Sequence, residues 1–148
     1  MSVRKLAAAF ALFCFSAGPA VAQFDGPLPQ ALCAGWNGEP VCETLHEDEM
    51  IRVLRCTFPP GVGHRPHYHP PHFGYVLEGD SVMRITAADG VSERPVHAGG
   101  SFSNDGETRH EALNVGGETT RYLIVEKKYD ERRPESDIAP GLCASADE

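Results

Sequence analysis

From Met50 onward, apolar and polar positions alternate in short runs. "MIRVLRCTF" (50–58) is rich in β-branched residues and ends at Pro59-Pro60-Gly61, the pattern of a half-buried strand closed by a turn. "HYH" (67–69) alternates in the same way, and "FGYVL" (73–77) is closed by "EGD". "SVMRIT" (81–86) runs into "AADG", whose Asp89-Gly90 is a hairpin signal. "VSERPV" ends at "HAGG", "SFS" at "NDGE", and "HEALNV" at "GGE"; "TTRYLIVEKK" (119–128) is the last convincing strand. No stretch keeps a helical period over three turns. Many short strands between glycine-rich turns predict an all-β sandwich or barrel over residues 50–127. Residues 23–49 lack periodicity and open on a Gly- and Pro-rich stretch, predicting an irregular N-terminal arm. Residues 128–148 are polar, carry two prolines, and predict an irregular C-terminal strap.

The first 22 residues change what counts as the working protein. "MSVRK" carries two positive charges, an apolar run broken by Gly18-Pro19 follows, and Ala20-Val21-Ala22 is a small-x-small cleavage pattern. This is the layout of a secretory signal peptide cleaved before Gln23, which places the mature protein in the periplasm or outside the cell. No later segment is apolar enough to span a membrane, so a soluble mature protein is expected. The whole chain has a net charge of −8, and loss of Arg4 and Lys5 makes it two units more negative. An acidic surface of this kind argues against nucleic acid or anionic lipid as a partner. Cys14 leaves with the leader, and Cys33, Cys42, Cys56 and Cys143 remain. An even count in an exported chain predicts disulfides, for which three pairings exist. Sequence does not choose among them; the favoured pairing is Cys33–Cys42, closing a short loop, with Cys56–Cys143 tying down the tail.

Candidate chemistry is concentrated in "GVGHRPHYHPPHFGYVLEGD" (61–80), which holds four of the chain's seven histidines: His64, His67, His69 and His72. His67 and His69 are two apart on an extended segment, so both side chains point to one face. Two neutral imidazoles side by side on an inward face suit a metal ion. His110 opens a strand-like segment and is the best third ligand. His64 is expected at the rim, Tyr68 opposite its flanking histidines in core packing, and His46 and His97 in solvent. Arg84 and Arg109 are candidates for holding an anion. No G-x-S-x-G and no phosphate loop is present, so a metal would carry any chemistry.

These residues resemble the cupin superfamily. Gly61, His67 and His69 match the opening of the first cupin motif, and "YVLEG" (75–79) matches its close. The family's glutamate position, six residues before Gly79, holds His72. His110 and Asn114 match the H-x3-N ending of the second motif, with Gly99 at its first glycine. Asp105 and Glu107 stand where the family has proline and glycine. The resemblance implies an all-β jelly roll, the double-stranded β-helix, with a metal inside the barrel on His67, His69 and His110. Replacement of the glutamate by His72 allows a three- or four-histidine site. Four neutral donors would leave a divalent ion near its full charge of about +2, favouring an anionic oxygen ligand. Imidazole donors suit Zn, Fe, Mn, Ni or Cu rather than Mg or Ca.

Two functions follow as expectations. One is a metalloenzyme, of dioxygenase type, acting on a small anionic or enolisable substrate. The other is a non-catalytic cupin that binds or senses a metal or small ligand, with His72 saturating the ion. A cupin isomerase or lyase, with Tyr75 or Glu107 as acid/base, is a third. A homodimer is compatible with the arm, by analogy with small cupins.

Overall fold

Hydrophobic alternation becomes two facing antiparallel sheets in the computed structural model, which describes residues 24–130 and 134–143. The leader and its cleavage site lie outside the described residues. The strands are β1 (Cys42–Glu47), β2 (Ile51–Phe58), β3 (Gly63–His69), β4 (His72–Glu78), β5 (Asp80–Ala87), β6 (Gly90–His97), β7 (Ser101–Asn104), β8 (Thr108–Asn114) and β9 (Thr120–Lys127). One sheet has the order β1-β2-β9-β4-β7 and the other β3-β8-β5-β6. Together they form the jelly roll that the strand pattern and the histidine motifs imply.

Each sheet turns one face inward with a period of two. Leu54, Cys56 and Phe58 from β2, Val76 from β4, Tyr122 and Ile124 from β9, and Met83 and Ala112 from the opposite sheet form one core cluster. Burying a side chain of this size contributes roughly 1.5–3 kcal/mol. At the β4–β5 turn, Gly79 has φ 103°, a conformation that L side chains rarely adopt.

The flanking segments are more ordered than the expected irregular arm. Ala31–Ala34 form a single helical turn, α1, ended by Gly35 at φ 64°. β1 escaped the sequence pattern because only Cys42 of its six residues is buried. Its hold on the barrel is the main-chain ladder to β2, a disulfide, and ion pairs from Glu43 to Arg55 and from Glu47 to Arg52 and Lys128. Phe24 and Leu28 from the arm pack on Tyr68, with Ile138 of the tail beside them. Tyr68 therefore does face away from its flanking histidines, beneath a covering layer of arm and tail.

The favoured cysteine pairing is corrected. The bonds are Cys33–Cys143 and Cys42–Cys56. Cys42 and Cys56 are directly opposed in the β1–β2 ladder, with Cα atoms 4.0 Å apart. Cys33 lies instead on α1, against the tail turn Gly141–Cys143. Loop length alone pointed to Cys33–Cys42; the strand pairing that decides the matter was not legible.

Candidate metal centre

β3 and β8 are neighbours, and their register places His67 directly across from His110. His69 is two residues along β3 on the same face, opposite Thr108. The ligand atoms of His67, His69 and His110 all lie within 4.8 Å of one another. His67 and His69 are buried, and His110 is half-buried.

Backbone and side-chain partners fix the imidazole tautomers. His67 Nδ1 donates to the Arg65 carbonyl at 2.6 Å, and His69 Nδ1 donates to Glu126 Oε1 at 2.8 Å. With both Nδ1 atoms carrying the proton, both Nε2 atoms present lone pairs, and these face each other at 3.0 Å. Two acceptors at that distance have no proton to share. A cation between them resolves the conflict, and donors about 2.1 Å from one ion at a right angle would be about 3.0 Å apart. The donor set thus fits a borderline transition metal.

Glu126 was missed by sequence reasoning. It is 1 % exposed, and its two oxygens accept from His69 Nδ1 and from Arg52 Nη1 at 3.3 Å. Both partners are donors, so the carboxylate form is the one the site holds. Burial raises the Glu126 carboxyl above its ordinary range, and the Arg52 guanidinium opposes that shift. Arg52 is held in turn by Glu47 and by Gln30 Oε1 of the arm. The missed signal was the phase of β9: Tyr122, Ile124 and Glu126 occupy successive inward positions.

His72 lies on β4, in the other sheet, directly opposite Glu126 in the ladder. It is buried, and its ring centroid is 4.6 Å from that of His69. Its Nδ1 donates to the Pro70 carbonyl, and its Nε2 accepts from Asn104 Nδ2 at 3.1 Å. It stands beside the converging three with its lone pair engaged by an amide. A carboxylate is still present at this level of the barrel, but it comes from β9.

His64 is not at the rim. Between the pairs His64↔Ala112 and His67↔His110, β3 spends one residue more than β8. This bulge at Arg65-Pro66 turns His64 inward despite its odd spacing from His67. It stacks on His67 at 3.8 Å, and its Nε2 donates to the Ala31 carbonyl of α1.

The two acid/base candidates fall outside the site. Tyr75 is on the outer face of β4 with Phe73 and Leu77, all substantially exposed. Glu107 pairs with Arg109 Nε at 2.9 Å. Neither lines the cavity that the histidines face. Of the proposed anion holders, Arg84 pairs with Glu93 on the exposed face, and Arg109 is held by Glu107 and the Phe24 carbonyl.

Burial holds these imidazoles neutral. It lowers His64 and His110 to about 3, and His67, His69 and His72 also lie below the usual 6.5. The unfolded chain takes up protons near pH 6.5 and the folded chain does not, so stability of the metal-free protein falls as pH falls. Each such histidine costs about 1.4 kcal/mol per pH unit below 6.5, until its folded-state pKa is reached. The melting temperature of metal-free protein should hold from pH 8 to 7 and drop between 6.5 and 5, above the carboxylate range. A flat profile through that window, measured by circular dichroism, would contradict a neutral buried cluster.

The histidines open into a cavity of about 720 Å³, within the range of small-molecule sites. A two-sheet β-barrel with three convergent histidines on its inner wall defines a barrel protein with a candidate metal site. Residues 54–126 match the family described as the cupin domain, and the chain belongs to the cupin superfamily. No curated protein compared with the chain matches it. Among solved structures, a cupin domain from Bordetella pertussis is 17% identical, covering 60% of this chain and 92% of its own, with a TM-score of 0.56. The polyketide cyclase RemF from Streptomyces resistomycificus is 18% identical over 78% of this chain and 86% of its own (TM-score 0.52). An RmlC-like cupin from Methanocaldococcus jannaschii is 17% identical over 59% and 78% (TM-score 0.51). At these identities the likeness establishes the fold alone.

Proposed function

We propose that the protein is an exported metal-dependent enzyme of dioxygenase type, acting on a small anionic or enolisable substrate in the barrel. The observation that carries the metal is the pair of facing Nε2 lone pairs on His67 and His69, with His110 across the ladder. A divalent Zn, Fe, Mn, Ni or Cu ion held there would supply Lewis-acid polarisation of a bound oxygen. Three neutral donors leave positions for substrate and O2, and no acid/base candidate from the sequence lines the cavity. The Arg65 carbonyl and Glu126 orient His67 and His69, while Phe58, Val76 and Ile124 give the cavity apolar walls that limit water. Export is supported by the two disulfides and the leader pattern.

Iron- and copper-loaded protein should consume O2 with a panel of diketones, phenols and hydroxy acids. Absence of uptake with every metal and substrate would favour the second function, a binding cupin. The engaged but adjacent lone pair of His72 supports that alternative, because release from Asn104 would give the ion a fourth donor. His72→Ala separates the two: a changed metal spectrum marks His72 as a ligand, and an unchanged one leaves the three-histidine face open.

A further inference from the structure

Among the described residues, the cavity wall carries one guanidinium with no carboxylate partner. Among the described arginines, Arg52, Arg55, Arg84, Arg109 and Arg121 each hold a carboxylate. Arg65 has no such pair but does not line the cavity. Arg94 lines the cavity and has neither a hydrogen-bond nor an ion-pair partner among the described residues.

Its position in the ladder aims it inward. Arg94 is opposite Met83, a 3 % exposed core residue, and cross-strand partners share a face. Its neighbours in sequence show the contrast, since Glu93 pairs with Arg84 on the outer face. Met83 also pairs with Asn114, four residues along β8 from His110, so about 13 Å of strand separates the two levels. Between the two levels Ile85 and Ala112 pair across the β5–β8 ladder and line the cavity, with Phe102 of the other sheet also on its wall. Asp89, a carboxylate on the same wall, lies in the β5–β6 turn and makes no ion pair with Arg94. β6 is an edge strand of its sheet and is exposed from Gly90 to Pro95.

We infer that Arg94 selects the cavity's ligand, a carboxylic acid with an apolar body and an oxygen donor at the end remote from the carboxylate. The guanidinium takes the carboxylate, Ile85, Ala112 and Phe102 take the body, and the remote oxygen faces the three histidines. Only the last of these contacts rests on the proposed metal function. A charge-assisted pair of this kind is the stronger class of hydrogen bond, and its loss costs about 10- to 100-fold in affinity.

The test uses 4-hydroxycinnamate, whose carboxylate and phenol lie at opposite ends of an apolar body, titrated calorimetrically into the full mature protein. Zinc-loaded and metal-free forms are both measured, and metal content is determined separately. Arg94→Met should weaken binding at least 10-fold in both forms with metal content unchanged, and Arg94→Lys should recover part of the loss. The neutral amide of the probe should bind wild type and Arg94→Met alike, and Arg84→Met should bind the acid as wild type does. Equal affinity of wild type and Arg94→Met for the acid would overturn the inference, as would a wild type that does not bind it. If the protein holds no metal but the Arg94→Met loss persists, the metal function fails and the anion site stands. If metal is held and the loss is absent, the anion site alone fails.

Discussion

His67→Ala is expected to strip the metal from the protein. His67 is fully buried, its Nδ1 is locked on the Arg65 carbonyl, and its Nε2 faces that of His69. Structural zinc sites bind with about 10–16 kcal/mol from four ligands, so one ligand is worth about 3 kcal/mol, or roughly 100-fold in affinity. Metal analysis after dialysis against a weak chelator should find about one ion per wild-type chain and less than about a tenth of that in the variant. Glu126→Gln should give a smaller loss, about 10- to 100-fold, because the ligand stays while its orienting carboxylate goes. His46→Ala, at an exposed histidine bonded to Asp48, should change nothing. A His67→Ala variant that keeps its fold and its metal would remove the basis for the proposed function.

Loss of the Cys33–Cys143 bond should cost more stability than loss of Cys42–Cys56. The first spans 110 positions and the second 14. In the chain-entropy account a bridge of about 100 residues contributes about 4.7 kcal/mol and one of about 15 residues about 3 kcal/mol. The measurement is urea unfolding of the two double-serine variants against the oxidised wild type. The same order should appear in thermal melts. A larger loss from Cys42→Ser/Cys56→Ser would contradict it. Peptide mapping without reduction gives an independent check, since a cross-linked fragment joining Cys33 to Cys42 would contradict the pairing itself.

How much was legible follows from which interactions are local. The eight strands from β2 to β9 announce themselves through a period of two and through Gly-rich turns, both properties of neighbouring residues. β1 does not, because one buried cysteine in six residues leaves no pattern to see. His67 and His69 share a face by strand geometry alone, and His110 came from a motif whose spacing the β3–β8 ladder now accounts for. His64 was misplaced because a bulge changes the parity of β3, and a bulge is set by the partner strand. Glu126 and Arg94 were overlooked for a related reason. Each is a charged residue in an inward phase, and only the opposing sheet or strand reveals that the inside is where it belongs. Tyr75, named as an acid/base for the third function, lies on the outer face that strand alternation from His72 assigns to it.

The bond between Cys33 and Cys143 also has a consequence in time. Cys42 and Cys56 can join as soon as β1 and β2 form a hairpin, whereas Cys33 must wait for a partner 110 positions away. Every histidine of the centre, and Glu126, lies inside that longer interval. A chain synthesised from its N-terminus therefore has all its metal donors available before the clasp that holds α1 behind His64 can shut. Of the two bonds, the clasp is thus the one that needs the end of the chain, and order of synthesis lets Cys42–Cys56 close before it.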